Sequence, residues 1–194
     1  MKNKLILVLL VNLFVVSSIA GCQSTSTDSH DAQWPSKILP LRDTLPILDA
    51  EAKKWHEDAQ MIAVSIELDP DSIFIISAKY TSPTVNYEGI IIYKSNKEYM
   101  ETHIVEHEYP STDLPISAND WILDSQQAYD ILMDLVPKKI LKNAEERCSS
   151  LDLDRKDRRT DSTVFWILTI SNCNDVTQYY YIDAKTGEFV QDPE

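Results

Sequence analysis

The amino-acid sequence predicts an α+β fold of two tandem units, each a helix packed on an antiparallel sheet. One observation is a repeated helical pattern: an Asp at an N-cap position, followed by apolar residues at helical spacing, occurs at Asp49 and again at Asp124. A second is that alternating polar and apolar segments, separated by turn-forming residues, follow each helical pattern. Such a helix-then-strands order favours an antiparallel sheet with its helices on one face.

The N-terminal segment has the composition of a bacterial export signal. Two lysines precede an apolar run from Leu5 to Val16, which is too short to span a bilayer comfortably. Small residues then lead to Cys22, and the motif Ile19-Ala20-Gly21-Cys22 resembles the lipobox of bacterial lipoproteins. This resemblance implies that residues 1–21 are a cleaved signal peptide and that Cys22 is lipidated.

A lipidated Cys22 implies an extracytoplasmic protein held at a membrane by its acyl chains. The resemblance to lipoprotein sorting patterns favours the outer membrane if the organism has one, and otherwise the outer leaflet of its single membrane. Residues 22–46 are rich in Ser, Thr, Asp and Pro, which is typical of a tether. Four apolar residues in its second half could dock onto the folded domain: Trp34, Ile38, Leu39 and Leu41.

The first unit is predicted over residues 47–115. Its helix begins at Asp49, and its apolar stripe consists of Ala52, Trp55, Ala59 and Ile62. The predicted strands cover residues 63–68, 73–80, 87–94 and 98–108.

The second unit is predicted over residues 116–194. Its helix begins at Asp124, with a stripe of Ala128, Ile131, Leu132 and Leu135, and residues 137–146 look like a helical extension. The predicted strands cover residues 147–153, 163–171, 177–183 and 188–191.

The last hairpin, from Tyr179 to Val190, resembles the closing hairpin of PepSY domains. Its aromatic strand is followed by Asp183, then by Thr186-Gly187-Glu188 and an apolar residue, with Gly187 at a turn position that favours positive φ. The resemblance covers about residues 121–190 and reaches the first unit only through the internal repeat. It implies a PepSY-like or cystatin-like architecture, and a role in binding or restraining a peptidase or in envelope assembly.

Cys148 and Cys173 are the remaining cysteines once Cys22 is lipidated. They flank a predicted hairpin whose turn lies within residues 157–162, and the midpoint between them falls inside that turn. Cross-strand neighbours in an oxidising compartment form a disulfide, so the sequence predicts a Cys148–Cys173 bond.

The composition excludes several function classes. With 31 acidic and 18 basic residues, the net charge of −13 repels nucleic acid and favours basic proteins, cationic peptides or divalent ions as partners. The acidity also fits a simpler role in keeping an exported domain soluble. Three glycines are too few for a phosphate-binding loop or a dinucleotide-binding turn, and we expect no cofactor.

No catalytic or metal-ligating arrangement stands out. The acidic segment from Asp152 to Asp161 does not match the spacing of an EF-hand calcium loop, because Asp157 occupies the position that requires glycine. We therefore predict that this segment is the solvated tip of a hairpin. His103 and His107 would lie about 13 Å apart on a strand, too far apart to share one metal ion.

The residues that remain as candidates for partner binding are aromatic. Tyr99, Trp166, Tyr179 and Tyr181 are predicted to form an aromatic sheet face, which could equally be core or a dimer contact. We expect a non-catalytic, lipid-anchored interaction module whose partner is an envelope protein or a peptidase. The alternative is a solute- or cation-binding lipoprotein with a pocket between the two units; an enzyme of unfamiliar type is a third interpretation.

Overall fold

The computed structural model describes residues 34–68, 75–85, 87–94, 99–105, 113–144, 148–160, 162–171 and 177–191. These residues belong to one compact unit. The helices are α1 (Leu41–Trp55), α2 (Ser125–Leu135) and α3 (Lys138–Asn143). The strands are β1 (Gln60–Glu67), β2 (Ile75–Ser82), β3 (Tyr87–Lys94), β4 (Tyr99–Val105), β5 (Ser150–Asp154), β6 (Phe165–Ser171), β7 (Thr177–Asp183) and β8 (Phe189–Val190).

All the described strands form one antiparallel sheet with the order β4-β3-β2-β1-β5-β6-β7-β8. Each half of the sheet is a meander in which consecutive strands pair, and the halves meet where β1 pairs with β5. The predicted α+β class is therefore confirmed, with one continuous sheet. The duplication of a single unit stays a prediction, and so does a PepSY-like or cystatin-like assignment.

One face of the sheet carries the hydrophobic core. Side chains on a strand alternate between the two faces, and the alternate residues on β1, β2, β5 and β6 that point towards the helices are almost fully buried. The helices α1 and α2 both pack on this face. The largest side chains buried there are Trp121, Trp166, Tyr80, Leu41, Leu48, Ile66, Ile76, Ile91, Leu132 and Leu151.

Helix α1 begins well before the predicted start at Asp49. The backbone N–H of Leu41 donates to Ser125 Oγ at 2.9 Å, and that of Arg42 donates to Asp124 Oδ1 at 3.2 Å. Two first-turn amides of α1 are thus satisfied by side chains at the start of α2, which serve as distant caps. Asp49 instead lies inside α1, where its carboxylate accepts a hydrogen bond from Tyr80 Oη at 2.8 Å.

Two further predictions for the first unit need correction. Because α1 ends at Trp55, the predicted stripe residues Ala59 and Ile62 lie outside the helix, and Ile62 is a fully buried residue of β1. The predicted tether also ends earlier, because Ile38 is buried and its N–H donates to Gln126 Oε1 at 2.8 Å.

Helix α2 begins as predicted. The Asp124 side chain accepts from the Ser125 N–H at 2.8 Å, and Gln127 Oε1 accepts from the Asp124 N–H at 3.0 Å, which completes a capping box. Ala128 and Leu132 are buried, whereas Leu135 at the end of the predicted stripe is 40% exposed.

The closing hairpin also forms as predicted. Asp183 Oδ1 accepts from the N–H groups of Lys185 and Thr186, each at 2.8 Å. Gly187 has φ +76, the left-handed conformation that its lack of a Cβ permits. A turn with these features joins β7 to β8.

The segment from Asp113 to Asp120 is held against the sheet by Arg155. This side chain is buried, donates to the carbonyl of Pro115 at 2.9 Å and to that of Ser162, and lies 3.5 Å from the Asp120 carboxylate. A guanidinium can satisfy several acceptors at once because its donors are spread over a planar fork.

Candidate functional site

The face of the sheet opposite the helices, here called the open face, contains a cleft of about 400 Å³. No described helix or strand packs on it. The cleft lies over the junction of the two halves, because Ser65 of β1 pairs directly with Asp152 of β5. Its lining includes Ser65, Lys79, Asp152, Thr169, Tyr179 and Tyr181.

Asp152 is the acidic group at the centre of the cleft. Its carboxylate accepts hydrogen bonds from Ser150 Oγ at 2.8 Å and Thr169 Oγ1 at 3.1 Å, and also from the Ser65 side chain. The sheet register brings these donors together, because Asp152 lies between β1 and β6, which supply Ser65 and Thr169.

Burial raises the pKa of Asp152 above its ordinary value, and the three hydroxyl hydrogen bonds offset only part of this effect. Among the described residues, neither a lysine nor an arginine forms an ion pair with this carboxylate. Asp152 therefore presents a desolvated negative charge whose partners are neutral hydroxyl groups.

The other charges at the cleft are paired. Arg158 Nε donates to both carboxylate oxygens of Asp154, at 2.9 and 3.0 Å, and this hydrogen bonding raises the pKa of Arg158. Lys79 forms an ion pair with the buried carboxylate of Glu88. The basic residues at the cleft are thus engaged by acidic partners other than Asp152.

Two predicted aromatic residues lie at the cleft. The ring centroids of Tyr179 and Tyr181 are 6.3 Å apart, and Tyr181 also packs edge-to-face on Phe165 at 6.3 Å. Tyr179 is 56% exposed, which is high for so large a ring. The rings therefore give the cleft an apolar border beside its charged centre.

The prediction that Trp166 shares this face is wrong. Trp166 is fully buried in the core, packs edge-to-face on Trp121 at 6.2 Å, and donates from Nε1 to the Leu123 carbonyl at 2.9 Å. The register pairs Trp166 with Ile182 of the core, whereas Tyr179 pairs with Thr169 on the open face. For Tyr99, only the backbone position in β4 lies within the described part of the chain.

The predicted cysteine sites fall partly outside the described residues, which exclude Cys22 and Cys173. Cys148 is half-buried. The β5–β6 ladder pairs Ser150 with Thr169, so its continuation would set Cys148 opposite Ser171, two residues before Cys173. The pairing of Cys148 with Cys173 stays a prediction.

The acidic segment does not behave as one hairpin tip. Asp152 and Asp154 belong to β5 and line the cleft, while Asp157 occupies the turn, where its carboxylate accepts from the Arg159 N–H at 2.9 Å. The alternation Leu151-Asp152-Leu153-Asp154 was the available signal, since it assigns both acids to one face of a strand.

No metal-ligating group of His, Cys, Asp and Glu occurs among the residues described above. His107 lies outside them, and the side chain of His103 is likewise not described. Within the same ranges, the helices are all too short or too polar to cross a bilayer.

In chemical terms, the cleft offers two ion-paired cations, Lys79 and Arg158, and one carboxylate, Asp152, that has no ion pair among the described residues. Several hydroxyl groups and two phenol rings complete its lining. A carboxylate and aromatic ring faces both attract cations, and hydroxyl groups can donate or accept. The arrangement is therefore suited to binding a polar, positively charged group.

No protein-family model matches the chain, and no curated protein matches it. Its fold is similar to a crystal structure from Clostridium difficile 630 that bears the name "putative lipoprotein", with a TM-score of 0.53 and 19% sequence identity. The similarity covers 79% of this chain and 91% of the other, so the two proteins share an architecture across most of their lengths.

Proposed function

We propose that this protein is a lipid-anchored, extracytoplasmic interaction module without catalytic activity, and that its open face engages an envelope protein such as a peptidase. The lipobox-like motif ending at Cys22 supports the anchor. The structural neighbour is named a putative lipoprotein, which agrees with a lipid-anchored location. The PepSY-like closing hairpin favours a peptidase as the partner.

The observation that carries the proposal is the asymmetry of the sheet. Its core face is covered by α1 and α2, while the open face presents a cleft and the exposed ring of Tyr179. Tyrosine is enriched where proteins bind each other, because it supplies a large apolar area and a polar tip at low entropic cost.

Site-specific photo-crosslinking in cells tests this proposal. A crosslinking amino acid would replace Tyr179 on the open face or, as a matched control, Asp134, which is exposed on α2. We expect one envelope protein to be captured from position 179 and not from position 134. A Cys22→Ala version, which lacks the lipidation site, should lose the adduct.

Two results would contradict the proposal. Equal capture from positions 179 and 134 would show that the open face has no preferred partner. Capture that persists in the Cys22→Ala version would show that the lipid anchor does not determine which partner is met.

A second candidate function is binding of a small solute in the cleft. The specific observation in its favour is that residues from both halves, Ser65 and Asp152, meet at one concave site of about 400 Å³, within the range of small-molecule pockets. A thermal-shift screen separates the two, because a ligand that binds only the folded state raises the melting temperature without any protein partner.

A further inference from the structure

We propose that the cleft binds a cationic side chain from a basic segment of the protein partner, with the Asp152 carboxylate as its counterion and the Tyr179 ring beside it. This inference rests on the proposed interaction function and specifies the chemistry of the partner.

Of the charged residues described at the cleft, Asp152 is the one without an ion pair. Arg158 is engaged by Asp154, and Lys79 is engaged by Glu88. Among the described residues, Asp152 accepts hydrogen bonds from the hydroxyl groups given above and forms no ion pair. One added positive charge would complete the pairing, whereas an anion would meet Asp152 with the cations of the cleft already engaged by other acids.

The desolvation of Asp152 makes a cation more effective here than at an exposed carboxylate. Burial already raises the pKa of this group, so its ionised form is held in an environment that stabilises charge poorly. A cation in the cleft would restore that stabilisation, and its attraction to Asp152 would be stronger than in bulk water. An isolated positive charge therefore fits the site better than a neutral polar group.

The dimensions and the aromatic border agree with a long basic side chain. A cleft of about 400 Å³ lies towards the small end of ligand sites and admits one side chain rather than a folded element. The Tyr179 ring is 56% exposed at this site, and an arginine or lysine placed over a tyrosine face is attracted by the electrons of the ring.

The net charge of the chain favours the same partner. At −13 overall, the protein attracts basic segments over a distance of about a Debye length and repels acidic ones. This long-range field raises the encounter rate, while Asp152 would select the group that enters the cleft. A basic peptide segment is the occupant that satisfies both requirements.

A binding assay with the full-length lipidated protein in detergent tests the inference. The probe is a short, terminally blocked peptide of small residues with one central arginine, and the control peptide carries citrulline, which has the same shape without the charge. Calorimetry would measure the affinity for wild type, for Asp152→Asn and for Asp134→Asn, an exposed position that loses the same formal charge.

We expect wild type to bind the arginine peptide at least about tenfold more tightly than the citrulline peptide, which corresponds to about 1.4 kcal/mol. Asp152→Asn should abolish this preference and Asp134→Asn should keep it. Circular dichroism would verify that both variants are folded, and Tyr179→Ala should weaken arginine binding without changing the fold.

Four outcomes would overturn the inference. Two are equal affinity for the two peptides and equal behaviour of the two aspartate variants. A third is tighter binding of free butylguanidinium than of the arginine peptide, which would identify a small organic cation as the occupant. The fourth is failure to detect binding of the arginine peptide to wild type.

The crosslinking experiment separates this inference from the proposed function. Capture of a partner at position 179 that is unchanged by Asp152→Asn would retain the interaction module and reject the cationic recognition. Absence of any capture from position 179 would reject the interaction module itself.

Discussion

The substitution Trp166→Phe tests whether the indole at the centre of the core is held by its hydrogen bond as well as by burial. Trp166 is fully buried, and its Nε1 donates to the Leu123 carbonyl at 2.9 Å, which ties β6 to the segment that enters α2. Phenylalanine retains an aromatic ring but removes this donor and leaves unfilled space.

The expected loss of stability follows from these two effects. The hydrogen bond contributes about 1 kcal/mol net. The smaller ring loses part of the roughly 3–5 kcal/mol that truncation of a buried aromatic residue to alanine costs, which we take as about 1–2 kcal/mol. The sum is about 2–3 kcal/mol, equivalent to a fall in melting temperature of about 4–12 °C for a chain of this size.

Trp34→Phe provides the matched control. Trp34 is only half-buried, yet its Nε1 also donates to a main-chain carbonyl, that of Leu141, at 3.2 Å. This substitution should cost less than about 1 kcal/mol, because water can replace the donor at a partly exposed site. Urea denaturation followed by circular dichroism measures both, and equal losses for the two variants would refute the reasoning from burial.

Three further predictions concern single positions. Gly187→Ala should lower the free energy of unfolding by about 1–2 kcal/mol in urea denaturation, because φ is +76 and the added Cβ would lie 3.1 Å from Leu123 Cδ1. Asp124→Ala should lower it by about 1 kcal/mol or more in the same assay, because the capping box with Gln127 is lost; an unchanged midpoint would contradict this role. Asp152→Asn should raise the melting temperature at neutral pH, because burial raises the pKa of this carboxyl in the folded state and its ionised form therefore destabilises the fold. That gain should vanish below pH 3.8, the ordinary pKa, where wild-type Asp152 is protonated whether the chain is folded or unfolded; a gain that is the same at every pH would contradict the assignment.

Local sequence patterns correctly predict those helices and strands whose stabilising residues lie within a few positions of one another. The predicted bounds of β3 and β7 match the structure, since alternation and flanking turns define both strands. The start of α2 was also predictable, because Asp124 and Gln127 supply its capping box from within the helix itself.

The start of α1 was not predictable, because the residues that cap it are distant in the sequence. Its first-turn amides are capped by Asp124 and Ser125, which lie in the other half of the chain. Pro40 and Pro46 suggested a tether, yet Leu41 is fully buried against the core and Pro46 is accommodated inside the helix. Tertiary burial therefore overrides a local signal that disfavours a helix.

The composition of the candidate site illustrates a different difficulty. The first residues of β6 are apolar on both faces, so they do not reveal whether Trp166 or Phe165 points to the helices. A shift of one residue exchanges the faces of a strand, and pairing with β5 and β7 determines the choice. The sequence likewise does not show the environment of Asp152, because its hydroxyl partners lie on β1, β5 and β6, which are brought together only by the sheet.

The pairing of β1 with β5 has a consequence for the order in which the chain can fold. Its partners, such as Val64 and Leu153, come from opposite halves of the chain, whereas the other strand pairs join neighbours in sequence. Because a polypeptide is synthesised from its N-terminus, β1 to β4 can pair before β5 exists. One edge of β1 then remains unpaired until Leu153 has been synthesised. Unpaired edges readily recruit strands from other molecules, so chains interrupted before β5 should aggregate even though every helix and strand of their first half is present.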